Sequence, residues 1–544
     1  MIVLLLLACA EPSAPSVVEL TVPLEGAALA RRISIDVRGV VPSVEELERA
    51  EQGAVEVDRL REEWLASPAF ESHLVDAFAE DWALRVDELR VDAESFGSDL
   101  GSDLNAADFS RAFDDEPARI LARVAAEDRP WSDTVTVDWT MANDDLASLV
   151  PLAFTAPDGQ GWREARYTDG RPAGGVLMTS GLWLRFPSTL FNYNRGRANT
   201  IARLMLCQDF LARPVHFVAI DSTTDDAIEN AVQTEPGCVA CHASLDPIAS
   251  TLFGFYPFQD KDAHELTRYH PERERLGERM IETSPGWYGT PIDAVAQLGP
   301  LVAADPRFEA CAVRRTAARL WGREPDYDEF ATLVDLQDTF AAGDHRYRAL
   351  MRGVLATPAY RAGSPTPCVR DDGAVTVRDD GAVTVRVMSP ATLSSVLADL
   401  TGFRWTQDGW DLLDSDALGF RVLLGGVDGV SVRSPNRLPS ASQAVAMQRV
   451  AEAAAAYGVD RDLAAAPEAR TLLPTDLADP LRPDADLPDA LAELHRRLIG
   501  ASPTAEEATE LQDFWSAAEQ ASDARTAWIG SVSLLLRDPA FWTY

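Results

Sequence analysis

Residues 30–50, ARRISIDVRGVVPSVEELERA, carry a glycine and proline pattern typical of two helices joined by a turn. Gly39 ends one helix, Pro42 begins the next, and Glu45 places a negative charge in the first turn of that second helix. A Pro-Ala-Phe motif follows at 68–70, where the proline ends a helix and the aromatic ring inserts into the neighbouring core. The pattern therefore predicts a helical hairpin that is closed by a buried aromatic side chain.

The same pattern occurs twice more along the chain. Residues 313–333, VRRTAARLWGREPDYDEFATL, close with Pro-Ala-Tyr at 358–360, and residues 494–514, LHRRLIGASPTAEEATELQDF, close with Pro-Ala-Phe at 539–541. Such self-similarity predicts that the three segments share a fold. The glycine, proline and acidic positions that correspond to the first segment are Gly322, Pro325, Asp328, Gly500, Pro503 and Glu506.

Length and composition limit the classes of protein to consider. A chain of 544 residues is too long for one small binding module and predicts two or more cores. Its 46% hydrophobic and 25% charged residues are typical of a globular protein. The net charge of −37, with Lys261 as the single lysine, repels phosphate backbones, so we expect no nucleic-acid partner.

The chain opens with MIVLLLLACAEPSAPS, whose apolar run is too short to span a bilayer and is typical of a signal peptide. Leu6, Leu7 and Ala8 precede Cys9 as in the lipobox of bacterial lipoproteins, which predicts lipidation of Cys9 and a flexible tether after it. The alternative is an apolar N-terminal strand with an incidental cysteine. We expect a cell-envelope lipoprotein, at the periplasmic face or the outer membrane, and thus an oxidising compartment.

Residues 238–242, CVACH, form the attachment signature of a c-type heme. Two thiols three positions apart reach the two vinyl groups of one porphyrin, and the next residue presents an imidazole to the iron. The competing interpretations are a zinc half-site, which needs a second Cys/His pair, and a redox dithiol, which needs a βαβ context. The motif predicts covalent heme c, bound through Cys238 and Cys241, with His242 as the iron ligand.

Other residues are candidates for completing this heme site. Met178, His270 and Met280 are candidate sixth ligands of the iron, followed by His216, although a methionine at helical spacing is more often a core residue. Met ligation favours electron transfer, whereas an open position allows peroxide or oxygen chemistry. Arg195 and Arg197 in NRGRAN are candidates to pair with the heme propionates, or they are solvated charges at a helix start.

Several segments resemble the Planctomycete-type cytochrome c domain families: GVLMTSGLWLRF, NRGRAN, LMLCQDF, EPGCVACHASLDPIA, GWYGTP and DPRFEACAVRR. The resemblance covers roughly residues 29–362 and implies an exported, heme-bearing, mostly helical protein. Because LMLC and EACAVRR both belong to the resemblance, it favours a disulfide between Cys207 and Cys311. Pairing of Cys311 with Cys368 is the alternative.

These patterns together predict a mainly α, multi-domain helical bundle with repeated helical hairpins around a c-type heme site. A minor β ribbon is expected where the octad RDDGAVTV repeats. The expected divisions are a lipoprotein signal and tether (1–16), an N-terminal helical domain (17–150), a c-type heme domain (151–365), the octad linker or ribbon (366–390) and a C-terminal helical domain (391–544).

The function that follows is an exported, lipid-anchored monoheme cytochrome that transfers single electrons. The alternatives are a heme enzyme with an open distal site, of peroxidase or oxidase type, and an envelope scaffold with a structural heme. The acidic surface favours a redox partner with a basic docking face, and a lipid anchor makes the membrane a second partner. Asp246 and Asp260 are the first candidates for carboxylates at that docking interface.

Overall fold

A computed structural model describes residues 23–87, 96, 105–156, 158–189, 191–214, 224–257, 262–363, 368–369, 375–376, 385–416, 418–483 and 486–544. The described chain is mainly helical, with small antiparallel sheets, which confirms the predicted fold class. Among these residues, none of the helices has the length and apolar character needed to cross a membrane.

The helices fall into three successive groups along the chain. The first group is α1 (Gly26–Arg38), α2 (Val44–Ala50), α3 (Ala54–Leu65), α4 (Pro68–Asp81), α5 (Ala106–Ala126) and α6 (Asp144–Leu149). The second is α7 (Ser180–Arg185), α8 (Arg195–Leu206), α9 (Asp225–Thr234), α10 (Pro236–Thr251), α11 (Ala263–Thr267), α12 (Gly277–Met280), α13 (Leu298–Ala303), α14 (Pro306–Trp321), α15 (Phe330–Ala342), α16 (Tyr347–Ala356) and α17 (Pro358–Arg361). The third is α18 (Pro390–Thr401), α19 (Phe420–Leu423), α20 (Ala441–Ala464), α21 (Leu487–Ile499), α22 (Ala505–Ala521), α23 (Ala524–Arg537) and α24 (Pro539–Trp542).

The strands are short and all pair in antiparallel fashion. β1 (Thr140–Ala142), β3 (Arg163–Tyr167) and β2 (Leu152–Phe154) form one sheet in that order. The two-stranded ribbons are β4 (Gly286–Trp287) with β5 (Thr290–Pro291), β6 (Cys368–Val369) with β7 (Val375–Thr376), and β8 (Thr406–Gln407) with β9 (Trp410–Asp411). The β6–β7 ribbon lies within the segment where the octad repeat predicted one, and β7 falls in the first octad.

The glycines act as predicted in all three repeats, whereas each proline lies two positions before the first residue of the next helical element and not within it. Gly39, Gly322 and Gly500 end α1, α14 and α21 in the left-handed region, with φ of 69°, 71° and 86°. The residue after each proline forms a capping box: its side chain accepts from the backbone N–H of the glutamate three positions later, and its own backbone N–H donates to the carboxylate of that glutamate. The box precedes α2 and α22 directly, and in the second repeat it caps a short 3-10 turn that leads into α15. The pairs are Ser43 with Glu46, Asp326 with Glu329, and Thr504 with Glu507.

Each repeat adds a third helix to the predicted hairpin. The units are α1–α2–α3, α14–α15–α16 and α21–α22–α23. The predicted second helix is divided into two helices in each repeat, at Gly53, at Gly343 with Asp344, and at Ser522. Phe70, Tyr360 and Phe541, the aromatic residues of the closing motifs, are fully buried as predicted.

Helix α1 lies between the two largest cores of the described chain. Ile33 and Val37 belong to the larger core, which also contains side chains of α3, α4, α5, α8, α14 and α16, whereas Ile35 belongs to the core of the C-terminal helices. Nine consecutive residues of α1, from 29 to 37, are buried. The first helix of the first repeat therefore contributes side chains to both cores.

Polar contacts tie α1 to the closing motifs of the other two repeats. Arg31 donates to the carbonyl oxygen of Phe541 (2.8 Å), and Arg32 donates to that of Tyr360 (2.9 Å). The Asp36 carboxylate accepts hydrogen bonds from the hydroxyls of Tyr360 (2.9 Å) and Tyr544 (2.8 Å). The three repeats thus meet on one buried helix.

Candidate functional site

Helix α10 carries the predicted heme-attachment residues on its first two turns. Pro236 occupies the first turn, where its missing N–H costs no hydrogen bond, and Cys238 and Cys241 follow one helical turn apart. Both thiols are free and partly exposed. His242 comes next and is also partly exposed, so the helix presents two thiols and one imidazole together.

The second half of α10 is anchored in the core. Leu245, Ile248 and Ala249 are buried, and α12 approaches so closely that a Cβ at Gly277 would lie 2.7 Å from the Cα of Ser250. The buried C-terminal half of α10 therefore fixes the helix in the core, and its N-terminal half leaves the thiols and the imidazole accessible.

His242 is fixed by a carboxylate on the next turn of its own helix. Its Nδ1–H donates to Oδ1 of Asp246 at 3.0 Å, the i,i+4 spacing that places both side chains on one helix face. With the proton on Nδ1, the lone pair of Nε2 is available for a metal. The His242 side chain is 25% exposed, so this nitrogen belongs to a side chain that a ligand can reach.

Asp246 is in turn held by Arg195 from the start of α8. Arg195 donates from Nε to Oδ1 (2.7 Å) and from Nη2 to Oδ2 (3.1 Å), a bidentate contact. Burial alone would raise the pKa of Asp246, but the hydrogen bonds from His242 and Arg195 outweigh burial and hold that pKa below its ordinary value. Asp246 therefore stays ionised between an imidazole and a guanidinium.

The prediction that Asp246 is an exposed docking carboxylate is wrong. The residue is only 6% exposed, and both of its oxygens are engaged by other side chains. The i,i+4 spacing of His242 and Asp246 within CHASLD was the sequence signal for this contact. Asp260, the other candidate for docking, lies outside the described residues.

Arg197 occupies a different environment from Arg195. Its guanidinium is buried and donates to the carbonyl oxygens of Phe255 (2.6 Å), Trp183 (3.1 Å) and Phe186 (3.2 Å). Burial lowers the pKa of Arg197 to about 9. Arg197 thus joins the segments before and after α10 through hydrogen bonds to main-chain carbonyl oxygens. Of the two arginines, only Arg195 contacts the site, through Asp246.

His270, a candidate sixth ligand, has contacts at both ring nitrogens. Nε2 lies 3.0 Å from the carbonyl oxygen of Glu265, and Nδ1 lies 3.3 Å from the carboxylate of Glu272. The ring is buried, and the backbone N–H of His270 donates to Gly254 just beyond α10. The structure therefore gives this imidazole protein partners of its own.

The remaining candidate ligands differ in their burial. Met178 is buried in the main core, and its carbonyl oxygen accepts a hydrogen bond from Arg171 (2.6 Å). Met280 is half-buried at the end of α12, which packs against α10. His216 lies outside the described residues, as does Cys9.

Cys207 and Cys311 form a disulfide, with sulfur atoms 2.05 Å apart and Cα atoms 5.3 Å apart. This is the pair that the family resemblance favours. The bond joins the end of α8, the helix that carries Arg195, to α14 of the second repeat. The side chain of Cys368, the alternative partner, lies outside the described residues.

A family model described as PSD4, protein of unknown function (DUF1592), matches residues 24–150. These residues contain the first repeat together with α4, α5 and α6, and they end before α10. A search of curated proteins found no match, and a search of solved structures found none. Within the described residues, no group of three or more His, Cys, Asp and Glu side chains is arranged to hold a metal ion.

Proposed function

We propose that this chain is a c-type cytochrome of the cell envelope that passes single electrons to or from a partner protein. The observation that carries the proposal is the arrangement on α10, where two free thiols and an adjacent imidazole share the accessible half of one helix. The family matched at residues 24–150 supports it, since that domain is found in Planctomycete cytochrome-c-like proteins.

The donor set fits a covalently attached heme. Cys238 and Cys241 are unpaired with each other and partly exposed, so both sulfurs remain free to form thioether bonds. His242 keeps Nε2 for the iron because Asp246 engages Nδ1. When bound, such a heme supplies one reversible electron at its iron.

The protein's own residues do the positioning. Asp246 fixes the tautomer and the orientation of the His242 ring, and Arg195 fixes Asp246. The buried half of α10 prevents the helix from turning, so the thiols and the imidazole keep their relative placement. A net charge of −37 favours a partner that is basic at its docking face, and Cys9 is the proposed site of a lipid anchor.

Covalent attachment is tested by expressing the chain in a host with a c-type cytochrome maturation system. We expect the wild type to give a heme-stained band after denaturing electrophoresis, and Cys238→Ala with Cys241→Ala to abolish it completely. Val239→Ala with Ala240→Ser, inside the same motif, is the matched control and should keep the stain. An unstained wild-type band, beside a reference cytochrome matured in the same host, would rule out the proposal.

The visible spectrum of the purified protein then separates a carrier from an enzyme. A six-coordinate, low-spin spectrum in both oxidation states supports electron transfer. A five-coordinate, high-spin spectrum contradicts the carrier and favours a heme enzyme with an open position.

A further inference from the structure

Asp246 connects the imidazole of the site to a partly buried ion pair with Arg195. Its Oδ1 accepts from both His242 and Arg195, and its Oδ2 accepts from Arg195 alone. The carboxylate therefore interacts with an imidazole ring on one side and a guanidinium on the other. A change in the charge of Asp246 or Arg195 therefore acts on the His242 imidazole through these hydrogen bonds.

We propose that Asp246 and Arg195 together set the reduction potential of the heme that His242 ligates, with Asp246 lowering the potential and Arg195 limiting that effect. The inference rests on the proposed function, because it requires iron bound at Nε2 of His242. It assigns Asp246 and Arg195 as positioning and tuning residues for the site.

The direction of the Asp246 effect follows from the hydrogen bond at Nδ1. An imidazole that donates its N–H to a carboxylate becomes a more basic ligand at its other nitrogen. A more basic ligand, together with a nearby negative charge, stabilises ferric iron more than ferrous iron. The carboxylate is buried, so solvent screens this charge only weakly.

Arg195 acts in the opposite direction. Its guanidinium forms two hydrogen bonds with the same carboxylate and so withdraws part of the charge that would otherwise act on His242. Arg195 sits in the first turn of α8, and the Cys207–Cys311 disulfide anchors the other end of that helix. The two hydrogen bonds to Asp246 hold the guanidinium against α10.

The opposite signs of the two effects make the inference testable. The heme-loaded full chain is titrated by spectroelectrochemistry at one pH and one ionic strength, with covalent heme content measured on each sample. We expect Asp246→Asn to raise the midpoint potential and Arg195→Gln to lower it. Asp460→Asn, which removes one negative charge from an exposed pair with Arg525, is the control and should leave the potential at the wild-type value.

Shifts of the same sign, or unchanged potentials in variants with normal heme content, would overturn this inference and leave the proposed function standing. A wild type without covalent heme would instead overturn the proposed function and this inference with it. If Asp246→Asn does not fold, Arg195→Gln decides alone: a lower potential supports the inference, and an unchanged or higher one rejects it.

Discussion

Two buried aspartates, Asp36 and Asp246, are each bound by an arginine, but they have different roles. Asp36 on α1 accepts from Tyr360, Tyr544 and Arg386, which come from segments more than 300 positions away. Asp246 on α10 accepts from a residue four positions earlier and from one arginine of a neighbouring helix.

The two aspartates differ in whether a partner side chain keeps an accessible atom that can bind a ligand. Tyr360 and Arg386 are buried and Tyr544 is half-buried, and all three lie where the three repeats meet, so the Asp36 carboxylate stabilises their packing. One partner of Asp246 is an imidazole that is partly exposed and retains a second ring nitrogen. A buried carboxylate thus indicates a functional site when the group it orients still has a free, accessible atom.

Loss of the Asp36 carboxylate should destabilise the protein more than loss of the Asp246 carboxylate. Asp36→Asn leaves the guanidinium of Arg386, whose side chain is 3% exposed, as an uncompensated buried charge. We expect a loss of about 3 to 5 kcal/mol in the free energy of unfolding, measured by chemical denaturation. Asp246→Asn should cost only about 1 to 2 kcal/mol, because Arg195 can reach solvent. Equal losses of unfolding free energy in the two variants would contradict this difference between Asp36 and Asp246.

The next effect concerns His73, which lines the same cavity as Asp36. Burial, with Arg319 nearby, lowers the pKa of His73 to about 4. Between that value and the unfolded pKa of about 6.5, the unfolded chain binds a proton that the native state does not. Stability is therefore lost as the pH falls through this window, by up to about 3 kcal/mol.

His73→Gln should flatten this part of the pH dependence. The measurement compares free energies of unfolding of wild type and variant at pH 7 and pH 4.5. His345→Gln, at a more exposed histidine, is the control and should follow the wild type. A His73→Gln variant with the wild-type pH dependence would show that His73 is not the titrating group.

A smaller effect is expected for single hydroxyls of the Asp36 junction. Tyr544→Phe removes one hydrogen bond to Asp36 and keeps the packed ring, so it should cost about 1 kcal/mol. Tyr327→Phe, at a fully exposed ring, should cost nothing measurable. Thermal unfolding of the two variants side by side measures this difference, and equal melting temperatures would contradict a role for the Tyr544 hydroxyl.

The smallest effect on stability is expected for a substitution at Cys9, the proposed lipidation site. Cys9→Ser should leave the melting temperature and heme content unchanged while moving the protein from the membrane fraction to the soluble fraction. Cell fractionation followed by immunoblotting measures this. A wild type that is already soluble would contradict the anchor.

The helical class and the helix boundaries at Gly39, Gly322 and Gly500 were predictable because they depend on local backbone chemistry. The burial of the closing rings at Phe70, Tyr360 and Phe541 followed from the repeat itself. The third helix of each repeat was not foreseen, since the breaks at Gly53 and Ser522 share no common residue.

The site was predictable only in part. Cys238, Cys241 and His242 were found from their spacing, and the structure places them on one helix. The contact of Asp246 with Arg195 joins residues 51 positions apart, and a single sequence carries no signal for such a tertiary pair. The sequence alone therefore favours a surface position for Asp246, whereas in the structure the residue is buried and accepts hydrogen bonds from two side chains.

The position of α1 has a consequence for how the chain folds. Asp36 on α1 is hydrogen-bonded to Tyr360 and Tyr544, which lie 324 and 508 positions further along the chain. These contacts form only after very large loops have closed. The entropy of loop closure grows slowly with length, but folding rates fall as contacts become less local. We expect α1 to gain its native surroundings late, after the local helical units of the second and third repeats have formed.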